Sequence, residues 1–145
     1  AYRSNEQGWM YRYHDPSYGG GRLQRVVRKA DAYLNLSGRN LVGWDELDAG
    51  GGLYRVPSSR FLRPYSSRLR HLEPLKYRRI VQDLKAAAVS GRIYHLWWHP
   101  HNFGRQTDRN LDGLEWILRA FDDCRRRYGM TSLSMSGVAE LARHA

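Results

Sequence analysis

The chain has 145 residues, 41% hydrophobic and 26% charged, enough apolar material for one domain with a core, which excludes a mainly disordered chain. Lys and Arg outnumber Asp and Glu by 24 to 14, a net +10 that attracts polyanions in general and names none. Cys124 is the single cysteine, so an internal disulfide and a cysteine-built zinc site are excluded, and no apolar run reaches the roughly 18 residues of a membrane helix.

The opening, Ala1 to Tyr13, is rich in Trp and Tyr and reads as a strand end followed by a loop. It carries no leader-like composition and begins without methionine, so the chain is expected to be cut from something longer. Leu23, Val26, Val27 and Ala30, with Leu34 one turn on, repeat at helical spacing and predict a helix stopped near Gly38. Residues 39–72 read as an irregular connecting region. The triple glycine of "AGGGLYRVPSS" and Pro57 predict an exposed connection there rather than a buried element.

A second helix is expected from Glu73 and Pro74, burying Tyr77, Ile80, Val81, Leu84 and Ala88 and ending at a left-handed Gly91. "RIYHLWWH", residues 92–99, is short, aromatic-rich and stopped by Pro100, which predicts a strand. A third helix is expected to open near Asn110, bury Leu114, Ile117, Leu118 and Phe121, and end at Gly129. "TSLSM" reads as a short strand, and Ser136 as the N-cap of a final helix. This alternation implies parallel strands and an α/β class. Only two or three strands are visible, fewer than the helices' apolar faces need.

On a strand, Ile93, His95, Trp97 and His99 share one face. His95 and His99 would then stand about 13 Å apart, too far to hold one metal, and His95 reads as a hydrogen-bonded core histidine. His99 and His101 would be about 6–7 Å apart if extended, close enough to remain a candidate metal pair or to be two hydrogen-bonded strand-end histidines. His99 ends a parallel strand, where α/β folds place their chemistry, and a polar loop follows at once. It is the leading catalytic candidate. Trp97 and Trp98 point to opposite faces, so at least one must pack under a helix. The Asp122-Asp123 doublet reads as surface charge, and the arginines, spread in clusters along the chain, as solvated faces.

"YHLWWHPHNF" followed by "NLDGLEWILRAFDDCRRRYGMTSLSMSGVAELA" resembles the C-terminal end of a polysaccharide deacetylase of the NodB-homology type, whose last motif is an apolar strand ending in histidine. Leu96, Trp97, Trp98 and His99 match that motif. "YRSNEQGW" resembles the family's arginine motif, with Arg3 as its arginine and Ser4 where a proline is usual. The resemblance covers residues 73–145 well and is carried before that by short segments. It implies a partial (β/α) barrel over residues 1–145, lacking its N-terminal strands. It implies removal of acetyl groups from a glycan or amino sugar by water on a divalent metal, usually zinc. His99 would protonate the leaving amine or alkoxide, Arg3 would orient an aspartate base, and Trp97 and His101 would meet the substrate. The family's metal ligands, an Asp-Asp pair and a His-x-x-x-His motif, would precede residue 1. This chain is therefore expected to hold no metal, to lack deacetylase activity alone, and to self-associate through its open strand edges. Two rival readings are a basic nucleic-acid-binding module, disfavoured because no recognised RNA or DNA motif accompanies the charge, and a metal hydrolase built on His99 and His101.

Overall fold

The structure is a computed structural model that describes residues 1–4 and 23–144. Asn5, Glu6, Trp9, His14 and the loop expected after the first strand lie outside the described residues.

Strand β1 (Tyr2–Ser4) is followed by helix α1 (Leu23–Asp31). The helix stops well short of Gly38 because Asp31 bonds to the chain ahead of it. Its Oδ1 accepts the N–H of Leu36 (3.0 Å) and of Ser37 (2.7 Å), and its Oδ2 accepts the Ser37 hydroxyl (2.8 Å). A carboxylate that satisfies downstream amides competes with helix continuation. Of the expected apolar stripe, Val26 and Leu34 are exposed, and Val27 and Ala30 are half-buried.

Residues 39–72 are more ordered than an irregular connection. They contain β2 (Arg55–Pro57) and β3 (Arg60–Phe61), and everything from Val56 to Arg60 is buried. The three glycines do form an exposed reversal, each at positive φ, between Asp48 and Tyr54, which bridge to one another. Strand β1 pairs parallel with β2, setting Arg3 against Val56. Strand β3 pairs parallel with β4 (Leu96–Trp97), setting Phe61 against Trp97. The described residues thus form two two-stranded parallel sheets and no closed barrel.

Helix α2 (Glu73–Ser90) begins with Pro74 and ends at left-handed Gly91 (φ 63°), as its pattern predicts. Helix α3 (Thr107–Tyr128) starts three residues before Asn110 and ends at left-handed Gly129. Asn110 is buried inside the first turn rather than capping it. Its amide donates to the carbonyls of Arg105 (2.8 Å) and Gln106 (3.1 Å) while its oxygen accepts the Tyr65 N–H (2.7 Å). Thr131 to Ser134 are exposed and form no strand, and no described strand pairs with them. The final helix α4 (Met135–Ala142) is capped by Ser134, not Ser136: the Ser134 hydroxyl accepts the Gly137 N–H.

Two apolar clusters hold these parts together. The larger joins Leu62 to Tyr77, Ile80 and Leu84 of α2, to Phe103, and to Ile117 and Cys124 of α3. The smaller joins Val42, Leu47 and Val56 to Val138 of α4. Each fully buried aliphatic or aromatic side chain contributes about 1.5–3 kcal/mol. No described helix is long and apolar enough to cross a membrane.

Candidate functional site

Backbone hydrogen bonds bring the histidine strand to β3. His95 O accepts the N–H of Ser59 (2.9 Å) and of Arg60 (3.2 Å), Trp97 O accepts the Leu62 N–H (2.9 Å), and the Ser59 hydroxyl accepts the His95 N–H (3.0 Å). The expected alternation of faces is present. Tyr94, Leu96 and Trp98 turn toward the α2–α3 core, where Trp98 stacks on Phe103 with ring centroids 5.8 Å apart. Trp97 and His99 turn the other way.

At the carboxyl ends of β3 and β4 these outward residues form a pile of rings. Phe61 lies 4.6 Å from Trp97, and His99 meets Trp97 edge-on at 5.0 Å. A short 3-10 turn, Pro100–Phe103, then folds His101 back so that its ring stacks on His99 at 5.0 Å and 23°. The guanidinium carbon of Arg3 sits 3.7 Å above the Trp97 ring, a cation–π contact worth about 0.5–1 kcal/mol at an exposed position. Arg3, Trp97, His99 and His101, the four residues singled out from sequence, therefore stand together. Trp97 is half-buried beneath Arg3 and Phe61, while His99 and His101 are exposed. His95 has the role expected of it: Nδ1 lies 3.2 Å from Pro57 O, and burial pushes its imidazole below the usual histidine range. Asp122 and Asp123 are paired with Arg125, Arg126 and Arg127 along α3, as surface charge.

Two groups of residues escaped the sequence reading. Phe61 belongs to "VPSSRFLRP", which showed no chemistry-bearing pattern. Directly behind it, with the period-two alternation of a strand, Arg60 points inward to a buried charge cluster. Its Nη1 donates to Asp31 Oδ2 (3.1 Å), its Nη2 to Gly38 O (2.9 Å), and Nη2 lies 3.6 Å from Asp83 Oδ2. Arg79 completes the cluster, donating to Asp31 Oδ1 (3.2 Å), Leu34 O (2.9 Å), Asn35 Oδ1 (2.9 Å) and Gly38 O (3.0 Å). Burial raises the Asp83 carboxyl to about 6, outweighing the pull of Arg60 and Arg79. On the sequence Arg79 and Asp83 look like an ordinary i, i+4 surface pair, which is why they were not legible.

The chemistry available at the ring pile is that of flat aromatic faces, one fixed cation and two exposed imidazoles. Among the described residues no three of His, Cys, Asp or Glu come together in a way that holds a metal, so these residues do not make up the ligand set of a divalent ion. No known family, curated protein or solved structure matches this chain.

Proposed function

We propose that this chain forms the substrate-facing, proton-transferring portion of a carbohydrate deacetylase, part of a (β/α) barrel whose metal-holding portion is not among the described residues. One observation supports the reading above the others. Arg3 and the segment holding Trp97, His99 and His101 are far apart in the sequence and meet at the carboxyl ends of short parallel strands. That is where α/β folds gather catalytic groups.

In this reading an acetylated amino sugar lies against His101 and the open rim of Trp97. His99 presents an exposed imidazole to the leaving atom. A water oxygen adds to the acetyl carbon. The bond from that carbon to nitrogen or oxygen breaks with its electron pair staying on the leaving atom, and acetate departs. The proton lost by the water is relayed through His99 to the leaving atom. Trp97 sets the angle of His99 by its edge-on contact and holds the Arg3 guanidinium over its own face. Arg3 is then a fixed positive charge beside the reacting centre. The divalent metal implied by the family resemblance, zinc by expectation, does not fit the described residues.

Binding can be tested on the chain itself. An N-acetylated chitooligosaccharide is titrated into the protein, followed by calorimetry and tryptophan fluorescence, with random DNA as a polyanion control at the same salt. Saturable sugar binding that weakens at least about tenfold, 1.4 kcal/mol, in His101→Ala supports the reading. Absence of saturable sugar binding, or binding that His99→Ala and His101→Ala together leave unchanged, overturns it. Tight, salt-sensitive DNA binding instead would select the nucleic-acid alternative.

A further inference from the structure

Away from the ring pile, residues 33–39 and one face of α2 enclose an open cleft of about 230 Å³. The helix contributes Leu75, Arg78, Arg79 and Gln82, which follow i, i+3, i+4, i+7 spacing and so share that face. Arg79 is the floor. Five hydrogen-bond acceptors from the 31–38 turn fix its guanidinium in place, so its charge cannot swing away. Arg39 and Arg78 stand on the rim, exposed, and neither makes a hydrogen bond or ion pair with any described residue.

The charge balance of the cleft is one-sided. Three guanidinium groups line it against a single carboxylate, Asp83, which already lies within 3.6 Å of Arg60 behind the wall. Asp31, also behind the wall, is engaged by both Arg60 and Arg79. The exposed arginines late in α3 behave differently, because each has Asp122 or Asp123 within its own helix. Around the cleft Arg39 and Arg78 have no such paired carboxylate: Arg39 feels the charge of Asp83 across the cleft without a hydrogen bond to it, and Asp83 is already engaged by Arg60. Two free guanidinium forks above a fixed cationic floor make a receptor for an oxyanion, and a tetrahedral anion offers an oxygen to each of several donors. One end of the cleft is apolar: Leu75 is 40% exposed, and the Tyr33 ring is held by its hydroxyl, which donates to Glu73 Oε1 (2.9 Å).

We propose that this cleft binds the phosphate group of a small phosphomonoester, with Arg39 and Arg78 gripping the phosphate, Arg79 supplying the fixed charge beneath it, and the organic body resting on Tyr33 and Leu75. The site is separate from the ring pile and does not depend on the deacetylase reading.

The test uses the whole chain at neutral pH and constant ionic strength, titrated with phenyl phosphate, with inorganic phosphate, and with sodium chloride as the non-specific control. Phenyl phosphate is expected to bind saturably and at least threefold more tightly than inorganic phosphate. Arg39→Gln and Arg78→Gln, both at exposed positions, are each expected to weaken it at least tenfold, and Arg119→Gln on α3 to leave it unchanged. Binding that chloride competes away equally, or that Arg119→Gln weakens as much as Arg78→Gln, overturns the site in favour of diffuse attraction to a basic protein. No saturable binding overturns it outright, and equal affinity for the two phosphates overturns the role given to Tyr33 and Leu75. Circular dichroism of each variant, unchanged from the parent, establishes that any loss is local.

Discussion

Replacing Gly113 with alanine sets two known effects against each other with opposite signs. Gly113 lies in the middle of α3, where alanine is favoured over glycine by about 1 kcal/mol on helix propensity alone. Yet it is buried against α2, and a methyl group there would overlap Cζ, Oη and Cε1 of Tyr77. The tyrosine ring has little room to retreat: it is 6% exposed, belongs to the main core cluster and lies 5.9 Å from the Trp116 ring. Forcing a methyl into such a contact costs about 1–3 kcal/mol, occasionally more, because the ring or both helix backbones must shift. The packing term should win when the ring overlaps at three atoms, for a net loss of about 1–2 kcal/mol. With about 3–4 °C per kcal/mol for a chain this size, Gly113→Ala should lower Tm by about 3–8 °C. Thermal and urea unfolding followed by circular dichroism would measure it. In a Tyr77→Leu background the clash is gone, and the same substitution should become neutral or stabilising by up to about 1 kcal/mol, a coupling a double-mutant cycle reads directly. If Gly113→Ala stabilises the parent protein, the close α2–α3 approach described above is wrong.

Other outcomes follow from the charge cluster, the ring pile and the helix ends. Asp83 has a folded pKa of about 6 against an ordinary 3.8, so between those values the folded chain binds the extra proton and stability falls as pH rises. The advantage of the parent over Asp83→Asn should therefore shrink by about 2 kcal/mol between pH 4 and pH 7 in matched urea titrations, and a growing advantage would contradict the assignment. Asp31→Ala strands Arg60 and Arg79 in the interior and should cost about 3–5 kcal/mol, read as a large drop in urea midpoint with the slope preserved. Arg3→Ala should cost no more than about 1 kcal/mol but change Trp97 emission, an effect that vanishes in Trp97→Phe. Gly91→Ala places a side chain at φ 63° and should destabilise by about 1 kcal/mol, since the added Cβ meets no other atom and backbone strain is the whole cost.

The helices were legible where a period and a terminator agreed. Pro74 and Gly91 delimit α2, and Gly129 ends α3, because the dihedral preference of each residue acts locally. The facing of Tyr94, Leu96 and Trp98 against Trp97 and His99 was legible for the same reason, a two-residue period with one apolar side. What failed was whatever depended on a partner distant in sequence. Strands β2 and β3 are three and two residues long, too short to show a period, and become strands only by pairing with β1 and β4. "TSLSM" has strand-like composition but pairs with no strand among the described residues. Arg60, Arg79 and Asp83 read as solvent-facing charges, and only the turn made by Asp31 turns them into an interior network. At the ring pile, the sequence named Arg3, Trp97, His99 and His101 but not Phe61, whose place follows from its register with Trp97.

The contact between Arg3 and Trp97 also bears on the order in which the molecule assembles. Helices α2 and α3 are near neighbours along the chain and can dock early, at small loop-closure cost. Strand β1 must instead find β2 across most of the first half of the chain, and only then does Arg3 come to rest on Trp97. Few buried contacts hold β1, whose residues Tyr2 and Arg3 remain exposed, so this closure sits at the low-stability end of the structure. The cation over the indole is thus expected to arrive late during refolding and to leave early under mild denaturant, while the stacked histidine pair keeps its shape. A chain whose core is complete would still pass through a population in which the ring pile stands uncovered. In that population the two imidazoles are presented without the positive charge beside them.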